Sequence, residues 1–125
     1  MKKDFSSIKN LIFKNYKGAA KRRGYVFELT HEQFLVIISS KCVYCGQDPH
    51  MTYRYGGPTS EVDYTQFKYN GVDRVDNLEG YTIKNSVSCC KICNNSKNIL
   101  STEEWLNWIK RVYNFNFENN VQRLS

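Results

Sequence analysis

Apolar residues recur at helical spacing near both ends of the chain, and two short segments between them alternate in polarity. The first stripe predicts an amphipathic helix from Ser6 to about Arg23, which Gly24 would end. Its apolar residues are Phe5, Ile8, Ile12, Tyr16 and Ala19. Residues 25–29 then read as a short extended link.

Two capping boxes predict where further helices begin. Thr30 followed by Gln33 predicts a second helix from about His31 to Ser39. Ser101 followed by Glu104 predicts a last helix, which we expect to serve as scaffold. We expect this last helix to bury a stripe made of Trp105, Leu106, Ile109, Val112 and Tyr113.

The middle of the chain predicts a strand, loop, strand, helix unit. Residues 71–75 and 86–89 read as short strands joined by a turn-rich segment, and a short helix is expected to start near Asn94. Residues 48–70 are poor in periodic apolar pattern and predict a long loop. The chain of 125 residues therefore predicts one small α+β domain over residues 1–125, in three regions: 1–40, 41–98 and 99–125.

The net charge of +6 lies at the N-terminal end. Residues 1–30 hold eight Lys and Arg against two acidic residues, while the remainder is balanced. A basic segment of this kind favours a nucleic-acid partner, although a solvated basic helix is an equal alternative on charge alone. The expected contacts are Lys14, Lys17, Lys21, Arg22, Arg23 and Lys97. No apolar run approaches the ~20 residues that span a bilayer, so we expect a soluble, cytoplasmic protein.

Two Cys-x-x-Cys turns predict a metal site. Cys42 and Cys45 form one pair, Cys90 and Cys93 the other, and four thiolates in two such turns suit one tetrahedral structural Zn²⁺. Disulfides or unrelated pairs are the alternative. Cys89 adjoins the second pair and is expected to be a small buried residue, with a ligand exchange against Cys90 left open.

Four segments follow one another around the second Cys-x-x-Cys turn: Asp73-Arg74-Val75, Gly80, Asn85-Ser86-Val87-Ser88-Cys89-Cys90 and Cys93-Asn94-Asn95-Ser96-Lys97. In this order and spacing, and together with Cys42 and Cys45, they resemble the HNH endonucleases, whose site is a ββα-metal finger. The resemblance covers roughly residues 42–98 and looks like the zinc-stapled branch common in phages and mobile elements. It implies that Asp73 and Asn94 hold a catalytic Mg²⁺ or Mn²⁺ and that Asn85 fixes the loop between the strands.

Arg74 stands where the family pattern has the His that acts as general base. Arginine stays protonated and cannot accept a proton from water. His50 is one alternative base, and Tyr64, Tyr69 and Tyr81 are others. A second possibility is that Arg74 orients the phosphate while the proton leaves to solvent or to a phosphate oxygen. In a third, the finger binds nucleic acid without cleaving it.

The sequence therefore predicts an HNH-like, metal-dependent endonuclease that hydrolyses phosphodiester bonds in DNA. The alternatives are an inactive zinc-stapled module that binds DNA or RNA, and a structural zinc domain that binds other proteins. Charge argues against the last of these.

Overall fold

The computed structural model describes residues 5–53 and 66–118, and these form four α-helices and a two-stranded sheet. The elements in chain order are α1 (Ser6–Arg22), α2 (His31–Ile38), β1 (Gly71–Arg74), β2 (Ser86–Cys89), α3 (Lys91–Lys97) and α4 (Thr102–Tyr113), followed by a π-helical turn (Asn114–Glu118). The predicted α+β class is confirmed. No helix in the described ranges is long and apolar enough to cross a membrane. Tyr64 lies outside the described residues.

Helix α1 has the predicted bounds, and Gly18 does not interrupt it. Its buried stripe packs on α2, whose capping box is also confirmed: the backbone N–H of Gln33 donates to Thr30 Oγ1 at 3.1 Å, and the N–H of Thr30 donates to Gln33 Oε1 at 3.0 Å. Gly24 then turns the chain with a φ of 77°. The buried core between these helices and the sheet consists of Ile8, Ile12, Ala20, Leu29, Phe34, Ile37, Ile38, Phe67, Val72 and Tyr81.

The link after α1 is more than an extended connection, because it pairs with the loop between the strands. The N–H of Tyr81 donates to Val26 O, and the N–H of Glu28 donates to Tyr81 O, both at 2.8 Å. Gly80 permits this approach, since a Cβ there would collide with the Val26 backbone. The pairing joins the N-terminal helices to the finger.

The strand, loop, strand, helix unit forms as predicted, with one correction. Strands β1 and β2 are antiparallel, with Gly71 opposite Cys89 and Arg74 opposite Ser86. Helix α3 begins at Lys91, not near Asn94, because Cys90 is its N-cap and accepts the N–H of Cys93 on its sulfur at 3.4 Å. Asn94 therefore lies in the first turn of α3 and does not cap it.

The prediction that α4 buries a whole apolar stripe was wrong. Its capping box at Ser101 is present, and Trp105 is buried. The other four members of the stripe, Leu106, Ile109, Val112 and Tyr113, are 38–53% exposed. The helix meets the finger through its first turn, where Thr102 Oγ1 donates to Val75 O at 3.4 Å. Beyond that turn, Tyr113 packs against Phe117 with 5.2 Å between the ring centroids, and the described residues leave the stripe partly exposed.

Candidate active site and metal centre

The two Cys-x-x-Cys turns meet, and their geometry fits a tetrahedral metal ion. The sulfurs of Cys42, Cys45, Cys90 and Cys93 all lie within 4.8 Å of one another. The Cys45 and Cys90 sulfurs are 3.7 Å apart, close to the ~3.8 Å that tetrahedral zinc–sulfur bonds of ~2.3 Å require. A backbone bond from Val43 N–H to Ser88 O, 2.9 Å long, ties the first turn to β2. These four cysteines are therefore positioned to hold a metal ion.

Cys89 is not a member of this cluster. It is fully buried and its thiol donates to Cys90 O at 3.4 Å. Burial also raises the pKa of Cys89. For Cys42, burial acts in the same direction, but backbone N–H groups of the two turns outweigh it and lower the pKa to about 6. A lowered pKa favours the thiolate form of Cys42, which is the form that binds a metal.

Asp73 and Asn94 line one open cavity of about 690 Å³ between the finger and α1. Asp73 lies on β1 and is buried, whereas Asn94 lies on α3 and is exposed. Within the described ranges, no hydrogen bond engages the Asn94 side chain. Arg23 and Tyr25 border the same cavity from the end of α1. An acidic and an amide side chain thus border a space large enough for a phosphate group.

Two donors, the partly buried Tyr44 and the fully buried Lys97, hold one oxygen of Asp73. The Tyr44 hydroxyl donates to Oδ2 at 2.8 Å, and the ammonium nitrogen of Lys97 lies 3.2 Å from the same oxygen. Lys97 is 0% exposed, and its Nζ also donates to Arg74 O at 3.4 Å. The prediction that Lys97 contacts nucleic acid is therefore wrong, because its ammonium group lies inside the finger.

Arg74 holds the loop between the strands to the chain that follows α1. Its Nη1 donates to Asn77 O at 2.8 Å and to Glu79 O at 2.9 Å. The guanidinium carbon lies 3.7 Å from the ring centroid of Tyr25. A hydrogen bond from Arg74 and its charge lower the pKa of Tyr25. The guanidinium therefore already has protein partners, although Arg74 also borders the cavity.

Asn85 is buried and hydrogen-bonds the same loop from its other side. Its Oδ1 accepts the N–H of Asp76 at 2.8 Å, and its Nδ2 donates to Asp76 O at 3.1 Å and to Gly80 O at 2.9 Å. A buried amide with three such bonds is rigid. Asn85 and Arg74 together fix the loop that follows Asp73.

His50 borders a second cavity, of about 700 Å³, which Asn94 shares with the first. It is exposed, and its Nδ1 lies 3.3 Å from Asp48 O. Tyr69 lines this second cavity, and burial raises its pKa. Tyr81 borders the first cavity but belongs to the core. His50 is thus the predicted base that lies outside the core and shares a cavity with Asn94.

The five basic residues predicted on α1 and its end are all exposed: Lys14, Lys17, Lys21, Arg22 and Arg23. A groove runs beside them, and the three lysines line it together with Tyr25. Since Tyr25 also borders the cavity of Asp73, the basic groove adjoins that cavity.

Sequence reasoning missed Tyr25 and Tyr44. Tyr44 is the central aromatic residue of the first Cys-x-x-Cys turn, and Tyr25 follows the glycine that ends α1. The sequence shows that Tyr44 lies within a Cys-x-x-Cys turn and that Tyr25 lies just after a helix end. Their contacts depend on residues 29 and 49 positions away, which no local pattern indicates.

A two-stranded antiparallel hairpin followed by a short helix, with a four-cysteine cluster at its side, is the fold expected from the HNH resemblance. A solved structure confirms this class of fold: the chain matches the rare-cutting HNH restriction endonuclease PacI with a TM-score of 0.59 and 24% identity. The match covers 86% of this chain and 80% of PacI.

The chain is also 29% identical over 111 residues to an uncharacterised protein of Acanthamoeba polyphaga mimivirus. That match covers 89% of this chain, which spans 18% of the length of the viral protein. No family model matches the chain.

Proposed function

We propose that this chain is an HNH-type endonuclease that hydrolyses phosphodiester bonds in DNA with the help of a divalent cation. The observation that carries the proposal is that Asp73 and Asn94 line one open cavity. A binding module has no need of two oxygen ligands at one cavity. The likeness in fold to an HNH restriction endonuclease supports the same class of reaction and a DNA partner.

Asp73 and Asn94 would hold the catalytic ion, since carboxylate and amide oxygens are the ligands that Mg²⁺ and Mn²⁺ take in proteins. When bound, such an ion polarises the scissile phosphate and stabilises the leaving 3′ oxygen. Arg23 at the rim of the cavity would bind a neighbouring phosphate. The lysines of the adjoining groove would hold the DNA backbone by charge, without reading its sequence.

His50 would accept the proton of the attacking water. It borders the cavity that contains Asn94, and imidazole has a suitable pKa range for this role at neutral pH. Arg74 would act on the site indirectly, by fixing the loop after Asp73. Asn85 would fix the same loop. The four cysteines would hold a structural Zn²⁺ that has no part in the reaction.

The test is conversion of supercoiled plasmid to nicked and linear forms with Mg²⁺ or Mn²⁺. We expect Asp73→Ala and Asn94→Ala to abolish cleavage when they are compared with wild type at matched zinc content and with the fold checked by circular dichroism, and His50→Gln to slow it by about 10²–10⁴-fold. Lys110→Ala, on the exposed part of α4, is the matched control and should cleave like wild type. Cleavage that survives both ligand changes would refute the proposal.

A catalytically inactive DNA-binding module is the second candidate. It is favoured by the contacts of Asp73, which already carries an ion pair with Lys97, and by the arginine at position 74. Salt-dependent DNA binding by the wild type without cleavage of plasmid, with either cation, would establish this function.

A further inference from the structure

The first Cys-x-x-Cys turn and the helix that contains the second pair provide the partners of Asp73. Tyr44 lies between the cysteines of the first turn, and its hydroxyl donates to Asp73 Oδ2 at 2.8 Å. Lys97 follows Cys93 by about one helical turn on α3, and its Nζ is 3.2 Å from the same oxygen. The cluster that joins the turns therefore also places both donors on one carboxylate.

The Tyr44 side chain is itself held in position. Its ring packs edge-on against Trp105, with 5.1 Å between the ring centroids. Trp105 is 2% exposed, and its Nε1 donates to Ser96 Oγ at 3.0 Å. A chain of fixed contacts thus runs from α4 through Tyr44 to Asp73. Through these contacts, α4 is linked to Asp73, which lines the cavity.

The ion pair of Asp73 and Lys97 is poorly explained by stability alone. Both groups are buried, and taking two charges out of water costs about as much as their attraction returns, so apolar residues of similar size would stabilise the finger as well. What the pair does provide is a fixed carboxylate. Both donors bind Oδ2, which leaves Oδ1 as the oxygen that can coordinate an ion in the cavity.

We propose that Tyr44 and Lys97 are positioning residues that fix Asp73 with one oxygen available to a divalent cation. The four-cysteine cluster thereby sets the affinity of the catalytic centre for that cation. This inference rests on the proposed function, since it takes Asp73 as a cation ligand. Partners of this kind commonly contribute 10–100-fold to metal affinity.

The experiment is a titration of the zinc-loaded protein with Mn²⁺ alone, in which electron paramagnetic resonance measures the free ion. We expect Tyr44→Phe to bind Mn²⁺ about 10-fold more weakly than wild type, with zinc content and melting temperature retained. Tyr113→Phe, on the exposed part of α4, is the control and should bind like wild type. Wild-type Mn²⁺ affinity in Tyr44→Phe would overturn the role of Tyr44.

Lys97 needs a second measurement, because its removal leaves a buried carboxylate without a charged partner and threatens folding. We expect Lys97→Met to lower the melting temperature sharply and the double variant Lys97→Met with Asp73→Asn to recover most of the loss. No recovery would overturn the pairing. Asp73→Ala separates the two proposals: if it binds Mn²⁺ like wild type, the proposed function fails, whereas an effect of Asp73→Ala without one of Tyr44→Phe defeats only the positioning role.

Discussion

At the scale of single residues, Arg74 is the residue whose contacts in the structure differ most from the role that the sequence suggests. In the sequence, Arg74 stands where the family pattern has the His that acts as general base. Binding of the phosphate is the other role that the sequence suggests for it. The structure instead gives the guanidinium two backbone carbonyls and the face of Tyr25. Hydrogen bonds made by a charged group are among the stronger ones in proteins. The main role of Arg74 in the structure is therefore to stabilise the loop that follows Asp73.

We expect Arg74→Met to lower the free energy of unfolding by roughly 1.5–3 kcal/mol, because two charged hydrogen bonds are lost and two carbonyls lose their donor. Arg23→Met is the matched control, since Arg23 also lies over Tyr25, at 5.0 Å, but is exposed. It should change stability by less than about 0.5 kcal/mol. Urea unfolding followed by fluorescence measures both. Equal, small effects would refute this stabilising role of Arg74.

At the scale of elements, capping chemistry and alternation predicted most of the fold. Thr30 and Ser101 are the N-caps of α2 and α4, and both strands lie where the pattern placed them. The start of α3 was missed because a cysteine thiol caps it, and Cys is not a residue that signals a helix start. The exposed stripe of α4 was missed because periodicity indicates an apolar face without indicating what covers it.

Substitution of alanine for two of the glycines should change the stability of the protein in opposite directions. Gly80→Ala places a Cβ against the Val26 backbone and should destabilise the protein by roughly 1–3 kcal/mol. Gly18→Ala lies inside α1 with no contact closer than 3.5 Å and should stabilise it by about 0.5–1 kcal/mol. Thermal unfolding of the zinc-loaded variants compares them. A neutral Gly80→Ala would mean that the pairing of residues 26–28 with residue 81 is loose.

At the scale of the whole molecule, two buried clusters meet at the finger. The larger one joins α1, α2 and the sheet, and the smaller one packs Trp105 against four of the five cysteines. A small apolar cluster of this kind adds little stability by itself, so a bound metal would supply much of it. The sequence predicted the four cysteines that come together, because the spacing within each pair is local. It could not predict the contacts of Tyr44 and Lys97 with Asp73, or of Tyr25 with Arg74, because these depend on how distant segments pack.

We therefore expect Cys45→Ser and Cys93→Ser to lose zinc and unfold, as should the wild type when a strong chelator removes the metal. Cys89→Ala is the control: Cys89 is buried but outside the cluster, so this variant should keep one zinc per chain. Metal analysis and circular dichroism measure the two properties together. A Cys93→Ser protein that is folded and free of zinc would contradict this role of the cluster.

The most direct measurement is anomalous diffraction from crystals of the protein with a DNA duplex grown in Mn²⁺, recorded at the manganese and zinc absorption edges. We expect a zinc peak among the four cysteine sulfurs and a manganese peak between Asp73 Oδ1 and the Asn94 side-chain oxygen, next to a phosphate of the duplex. Bound DNA with no manganese at Asp73, or manganese bound only by other residues, would contradict the proposal that these two side chains form the catalytic centre.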